Sequence, residues 1–207
     1  MIAAIIIGVI VVILIIVFIA IYNGLVGLRN QVKNAWAQID VQLKRRHDLI
    51  PNLVETVKGY AAHERGTLEA VTNARNLAQS VATSGGSVAQ RAQAEGELSS
   101  ALARLMVVVE NYPNLKANEN FLALQEELSS TENKISFSRQ FYNDTVLNFN
   151  NKTQMFPSNV VAGMTGFKAA EFFEVKSEEE RAAPKVSFTT PPQVTPSQGP
   201  PPINPKP

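Results

Sequence analysis

Hydrophobic residues follow two patterns along the chain, one continuous and one periodic. Residues 2–21 form a continuous run in which only Ala3, Ala4, Gly8 and Ala20 are not Ile, Val, Leu or Phe. A helix of this length spans about 30 Å, the thickness of a hydrocarbon core. A β-strand would end after about four to eight residues, well short of this run. The run therefore predicts a transmembrane helix, which satisfies its own backbone hydrogen bonds in lipid.

We expect this helix to be retained as an anchor. A cleaved signal peptide would have a basic segment before the apolar run and small residues at a cleavage site after it. Only Met1 precedes the run, and residues 22–25 do not carry the small residues of a cleavage site. Arg29 and Lys33 flank the C-terminal side, and cytoplasmic flanks carry an excess of Lys and Arg. These charges predict a single-pass protein of the cell membrane, with the N-terminus outside and the rest of the chain in the cytoplasm.

Beyond the anchor, large residues recur at steps of three and four, the spacing of one face of a helix. On the first such helix they are Leu25, Leu28, Val32, Trp36, Ile39, Leu43, Arg46, Ile50, Leu53, Val57 and Tyr60. Because this stripe keeps its phase across Pro51, we expect a kink there rather than a helix end. Asp48 would accept hydrogen bonds from the amides that the proline disturbs.

Three further helices are predicted, over about residues 67–81, 88–112 and 121–152. Gly/Ser and Pro/Asn segments separate them. Four amphipathic helices with short connections bury their stripes most economically against one another. The predicted fold is therefore all-α, with a transmembrane helix followed by an antiparallel up-and-down four-helix bundle.

The chain is predicted to have four parts. A transmembrane anchor over residues 1–23 leads into the bundle, residues 24–155. A short apolar segment, residues 156–176, packs on the end of the bundle, and Ser158 would cap one helical turn within it. Residues 177–207 carry nine of the twelve prolines, so we expect a disordered Pro-rich tail. Whether that tail binds a proline-recognition domain stays open.

Composition narrows the available chemistry. Nineteen basic and eighteen acidic residues give a net charge of +1, which provides no field for gathering nucleic acid. The absence of cysteine excludes disulfides, thiolate metal sites and a thiol nucleophile. Neither His47 nor His63 has the second ligand spacing of a zinc protease or of a di-iron bundle, and we predict both at the surface. We therefore predict no cofactor, no metal and no nucleic-acid partner.

The basic cluster Lys44-Arg45-Arg46 is expected to be a solvated or salt-bridged turn of helix. Along a straight helix it lies about 30 Å beyond the lipid, more than three Debye lengths away. Binding of lipid headgroups by this cluster is therefore disfavoured.

A polar stretch interrupts the stripe of the last helix without breaking it. Glu132 and Arg139 are seven residues apart on one face, and Arg46 shares the stripe of the first helix. We predict a buried pair between Glu132 and one of these arginines, which fixes helix register at a net stability near zero. The candidate structural polar network comprises Arg46, Asp48, Glu132, Asn133, Arg139 and Asn143. Since no nucleophile or cofactor motif accompanies it, a structural role is favoured over a catalytic one.

Several short motifs, in this order, resemble the bacterial LemA family. They are Asn34-Ala35-Trp36, Arg45-Arg46-His47-Asp48-Leu49-Ile50-Pro51-Asn52-Leu53-Val54, Thr131-Glu132-Asn133, Arg139-Gln140-Phe141-Tyr142-Asn143 and Phe156-Pro157-Ser158-Asn159. The resemblance covers about residues 1–175 and excludes the Pro-rich tail. It implies a single-pass membrane protein with a four-helix domain in the cytoplasm and no known activity. Links of the family to the cell envelope and, in relatives, to magnetosome membranes are implied as well.

The leading functional hypothesis is a non-enzymatic, membrane-anchored helical scaffold of the cell envelope. It would contact the bilayer through residues 2–21 and present its bundle to a protein partner or to copies of itself. An enzyme or ligand-binding bundle that uses the polar network around Glu132 and Arg139 is the alternative. A third hypothesis, a regulator of a membrane protease, rests on the resemblance alone.

Overall fold

The computed structural model describes residues 1–174. Within that range the chain forms helices and no strands: α1 (Ile2–Tyr60), α2 (Arg65–Thr83), α3 (Val88–Val109), α4 (Pro113–Lys116), α5 (Glu119–Gln154) and α6 (Ser158–Thr165). The predicted all-α fold is confirmed. The predicted tail, residues 177–207, and the last two residues of the predicted apolar segment lie outside the described residues.

A single helix joins the anchor to the bundle. α1 runs without interruption from Ile2 to Tyr60, so the helix does not break between the apolar run and the bundle. No residue of its apolar window near the N-terminus is buried, and the first fully buried side chain is Leu25. The helix also continues through Pro51, as the unbroken phase of the stripe predicts.

The four long helices pack mainly as two pairs. α1 packs most extensively on α5, and α2 packs on α3, while α1 also contacts α2. Ser87 begins α3 with a capping box to Gln90, and Asn118 caps α5 by accepting from the amide of Phe121 at 3.0 Å. The predicted long helices therefore exist, with ends displaced by a few residues.

The connection between α3 and α5 differs from the prediction. α3 ends at Val109, three residues early, because Pro113 starts the one-turn helix α4 as its first residue. Leu115 of α4 is fully buried against the distal end of the bundle. Pro113 therefore follows the end of α3 and is also the first residue of α4.

The core of the bundle is divided along its length. A cluster nearer the anchor, the proximal cluster, contains Ala35, Ile39, Leu43, Ala92, Ile135, Tyr142, Val146 and Phe173. A second one, the distal cluster, extends from Ile50, Leu98 and Leu128 to the far end of the bundle. Along α1 and α5 a short stretch containing charged residues separates the two clusters, whereas on α3 the clusters meet at Ala92 and Ala94, next to Glu95.

Helix α6 lies at the membrane end of α1. Val161 and Ala162 of α6 form a small buried cluster with Leu25, against which Phe18 and Ile21 also pack. Pro157 is the residue before the helix, and no side chain caps it, so the prediction that Ser158 is the cap is wrong. The hydroxyl of Ser158 instead donates to the carbonyl oxygen of Met155 at 3.1 Å.

Candidate functional site

A polar layer crosses the bundle core between the proximal and distal clusters. Its centre is Arg46 of α1, whose side chain is 1% exposed. Nη1 donates to the Ser99 hydroxyl at 2.8 Å and to Oε2 of Glu132 at 2.6 Å. Nη2 donates to the carboxylate of Glu95 and, at 3.3 Å, to its backbone oxygen. One guanidinium thus connects α1 to both α3 and α5, in the fork geometry that suits arginine better than lysine.

Glu95 of α3 is the buried anion of the layer. Its side chain is 5% exposed and lies between Arg46 and His47. Nε2 of His47 is 3.0 Å from Oε1 of Glu95, a close electrostatic contact that falls short of an aligned hydrogen bond. Burial alone would raise the pKa of Glu95, but His47 and the charge of Arg46 outweigh it and hold that pKa below its usual range. Glu95 is therefore a carboxylate at neutral pH.

Glu132 of α5 joins the same arginine from the edge of the layer. Its side chain is 48% exposed, so the Arg46–Glu132 pair is buried on one side only. Glu132 also lines an open cavity of ≈ 250 Å³ between α3 and α5, together with apolar residues such as Leu102 and Met106. The structure therefore assigns the buried anion of the layer to Glu95 rather than to Glu132.

Of the other predicted network residues, Arg139 lies beside the layer and lines a small cavity with Arg46 and Glu132, whereas Asp48, Asn133 and Asn143 lie away from it. Asp48 and Asn133 are exposed, and their side chains make no hydrogen bond within the described residues. The prediction that Asp48 accepts hydrogen bonds from the backbone amides near Pro51 is therefore wrong. The guanidinium of Arg139 stacks over the ring of Phe173, 4.9 Å from its centroid. The side-chain amide of Asn143 binds the backbone of Phe173. Of the six predicted residues, the layer brings together Arg46 and Glu132.

Two residues of the layer, His47 and Glu95, were not predicted from the sequence to belong to a polar network. The prediction that His47 lies at the surface is wrong, because α3 packs Glu95 onto it and leaves it 6% exposed. Both residues carried a signal in their spacing: His47 is four residues after Leu43, and Glu95 three before Leu98, each on an apolar stripe. The basic cluster also divides, since Arg46 is buried while Arg45 pairs with Glu127 at the surface, at 2.6 Å.

The segment after α6 returns to α5 as an extended strap held by two asparagines. Asn150 accepts from the amide of Ala170 at 2.8 Å and donates to its carbonyl at 3.0 Å. Asn143, two turns earlier, pairs in the same way with Phe173, at 2.9 and 3.3 Å. The hydroxyl of Tyr142 donates to the backbone of Glu171 at 2.8 Å. These bonds satisfy backbone groups that the extended strap cannot satisfy itself.

Phe173 anchors the strap in the proximal cluster. It is 2% exposed, and its ring lies 5.9 Å from that of Trp36. Burial, and then the nearby Glu171 charge, raises the pKa of Tyr142 to about 12, so its hydroxyl stays a donor at neutral pH. Asn143 and Arg139 therefore serve the strap, a role that the sequence did not indicate.

The chemistry of the layer is that of an ion-pair network. The charges of Arg46, Glu95 and Glu132 engage one another, and within residues 1–174 no three His, Asp or Glu side chains gather as metal ligands. Such a network contributes little net stability, because the cost of desolvating the charges offsets most of their attraction.

The motifs that resemble a known family now have a structural context. The sequence model of the LemA family matches residues 35–188. The chain belongs to the LemA family. The matched region of this LemA-family chain contains every residue of the polar layer and the whole strap.

Curated relatives agree with this assignment. Magnetosome protein MamQ 2 of Paramagnetospirillum magneticum is 27% identical over 177 residues, and magnetosome protein MamQ of Magnetospirillum gryphiswaldense is 24% identical over 177 residues. Each match covers 75% of this chain, which spans 65% of the length of those relatives. Protein LemA of Metamycoplasma hominis is 27% identical over 165 residues, covering 80% of this chain and 74% of the relative. With the exposed apolar end of α1, these matches indicate a membrane-associated helical protein.

Proposed function

We propose that this LemA-family protein is a non-enzymatic, membrane-anchored scaffold that presents its bundle to a protein partner or to copies of itself. The observation that carries the proposal is the continuity of α1. One helix is exposed over its apolar segment and then supplies the central stripe of the bundle, so the bundle is fixed to the anchor without a flexible linker.

The surface of the bundle supports a protein partner. Phe137 and Phe141 are four residues apart on α5, so they share one face, and they are 73% and 51% exposed. Large exposed aromatic residues are enriched where proteins bind one another. We propose this aromatic face as the contact with the partner.

Photocrosslinking in cells tests the scaffold. A benzophenone amino acid at Phe137 should give a discrete adduct with a partner or with a second copy of the chain. The same group at Ser100, an exposed polar position on α3, is the matched control and should give none. No adduct from Phe137, or equal adducts from both positions, would contradict the proposal.

The proposed orientation follows from charge. Arg29 and Lys33 flank the apolar segment on the bundle side, which favours the bundle in the cytoplasm. A fluorescent protein fused after residue 207 should therefore fluoresce, and alkaline phosphatase fused there should be inactive. Active phosphatase would place the bundle outside.

A second candidate function is suggested by the cavity beside Glu132. It is lined by four apolar side chains and four polar ones, among them the Glu132 carboxylate, a combination that suits a small amphipathic ligand. Native mass spectrometry of the chain from its own membranes should then show an adduct that Ala103→Trp, which fills the cavity, removes. Identical spectra would leave the cavity without a binding role.

A further inference from the structure

The membrane end of the bundle carries a second apolar surface besides the anchor. Val160 and Met164 are four residues apart on α6 and are 53% and 73% exposed, and Phe156, two residues before the helix, is 82% exposed. The opposite face of α6 is buried against α1 through Val161 and Ala162. Val160 and Met164 therefore share an exposed face of α6, and together with the preceding Phe156 they are called here the α6 stripe.

The position of α6 along α1 sets the level of this stripe. Val161 and Ala162 of α6 form one buried cluster with Leu25, against which Phe18 and Ile21 of the apolar segment pack. A bilayer that surrounds residues 2–21 therefore reaches α6 without any further movement of the chain. The surface that covers the anchor is continuous with the surface that would cover the α6 stripe.

A cationic cavity lies next to α6. It has a volume of ≈ 280 Å³ and is lined by Arg29, Lys33 and Lys168, together with apolar residues such as Phe149 and Phe167. None of its lining residues is acidic. Within residues 1–174 these three cations form no ion pair with a carboxylate.

Distance places this cavity at the lipid headgroups. Arg29 is eight residues beyond the apolar run, so its backbone lies about 12 Å from the hydrocarbon. Headgroups occupy roughly 5 to 8 Å of that distance. Helical side chains lean toward the N-terminus, which here is the membrane side, so Arg29 comes within about one Debye length of the headgroup phosphates.

Aromatic contacts hold the cavity in that position. The guanidinium of Arg29 lies 5.1 Å from the centroid of the Phe167 ring, which also packs against Tyr22 at 6.0 Å and Phe149 at 6.3 Å. Gly166 ends α6 with a φ of +77°, a conformation that glycine adopts without strain. After that turn the amide of Phe167 donates to the carbonyl oxygen of Ala162 at 3.0 Å, and its side chain packs against the buried cluster of α6.

We propose that α6 and this cavity form a second lipid-binding site, in which the α6 stripe enters the bilayer interface and the cavity binds the phosphate of an anionic lipid. The site rests on the membrane anchoring of the proposed function and goes beyond it. It fixes the bundle to the bilayer at two points and so limits its tilt and rotation about α1. Apolar and cationic groups on adjacent surfaces are the features by which interfacial helices bind anionic membranes.

The chain has no cysteine, so single-cysteine labels can test the stripe in the full-length protein. An environment-sensitive fluorophore at Met164→Cys, with one chain per nanodisc, should be quenched by brominated lipid chains. Val107→Cys on α3 is the matched control, because Val107 is 70% exposed and Met164 73%. Bromine reports contact with lipid and not with protein. Equal quenching at both positions would overturn the proposal, even if the anchor held the chain in the disc.

Charge-removing variants test the cavity. In nanodiscs of phosphatidylcholine and phosphatidylglycerol, lipids that stay bound in native mass spectrometry should be enriched in phosphatidylglycerol. Each cation contributes about a fivefold preference, so Arg29→Gln with Lys33→Gln and Lys168→Gln should lose on the order of 100-fold.

The matched control removes the same charges elsewhere. The exposed residues for it are Lys44, Arg104 and Lys134, and their triple glutamine variant should keep the enrichment. Equal loss in both triple variants would overturn a specific site. Loss of enrichment on adding inorganic phosphate at constant ionic strength would also overturn it, by assigning the cavity to free phosphate. Both results are independent of the crosslinking experiment that tests the scaffold, so the two proposals can fail separately.

Discussion

Nε of Arg75 lies 2.7 Å from the carbonyl oxygen of His47. That carbonyl would receive the amide of residue 51 in a regular helix, but Pro51 has no amide hydrogen to donate. Arg75 of α2 therefore replaces the missing intrahelical donor. This hydrogen bond allows α1 to remain helical at Pro51, and it attaches α2 to α1 beside the polar layer.

Removing this donor should destabilise the fold. A hydrogen bond from a charged group contributes about 1.5 to 3 kcal/mol, so Arg75→Leu should lower the free energy of unfolding by that amount. In a Pro51→Ala background the restored amide can bond the His47 carbonyl, and the cost of Arg75→Leu should fall by about 1 kcal/mol. Thermal unfolding in detergent, followed by circular dichroism, measures both. An identical cost in the two backgrounds would mean that Arg75 and Pro51 act independently.

The two glutamates of the polar layer should differ in their contribution to stability. Glu95→Ala leaves a buried guanidinium without its main partner and should cost about 3 to 5 kcal/mol. Glu132 is 48% exposed, so water can replace it and Glu132→Ala should cost about 1 kcal/mol. Unfolding of the two variants under one condition makes the comparison. Equal losses of stability in the two variants would show that burial of the glutamate does not determine the cost of removing it.

Stability should fall at acid pH through Glu95. Since the pKa of Glu95 is below its usual range in the folded chain, its contribution is present above the unfolded pKa of about 4.3. It is lost as the pH falls from that value through the folded one. Glu95→Gln should therefore flatten the dependence of the unfolding temperature on pH below about 5. The exposed Glu97→Gln is the control and should keep the slope of the parent chain.

His47 should set where that acid loss begins. Without His47, burial of Glu95 is offset less completely, so its pKa should rise. We expect His47→Gln to shift the acid-induced loss of stability toward higher pH than in the parent chain. The same pH series measures it, and an unchanged profile would assign the effect to Arg46 alone.

The strap should open when its asparagines are removed. Asn143→Ala deletes both bonds to the backbone of Phe173, each contributing about 1 kcal/mol. Amide hydrogen exchange at Phe173 should accelerate roughly tenfold or more. Asn148→Ala, an exposed asparagine on the same helix, should leave that exchange unchanged. Equal acceleration by both variants would point to a general loosening of α5.

Local pattern was enough to predict the helices but not the partners of their polar residues. The continuous run at residues 2–21 and the three-to-four spacing beyond it depend on neighbours in the chain, so they predict α1, α2, α3 and α5. Arg46 was placed on an apolar stripe for the same reason. Its main partner is 49 residues away on another helix, and no local pattern distinguishes Glu95 from a solvated glutamate.

The strap shows the same limit more strongly. Asn143 was assigned to a polar network because of its sequence neighbours, whereas it binds a backbone 30 residues away. Such a bond depends on how far α6 carries the chain and on how Gly166 turns it. Periodicity along one helix contains neither quantity.

The sequence by itself determined that the chain has an apolar anchor and a helical bundle, because hydrophobic spacing along one chain fixes both. Only the tertiary structure decided that Glu95 and His47 are buried with Arg46, that Arg75 compensates for Pro51, and that α6 lies at the level of the anchor. These features depend on distances between helices, and those are set when whole faces pack together rather than by any single segment.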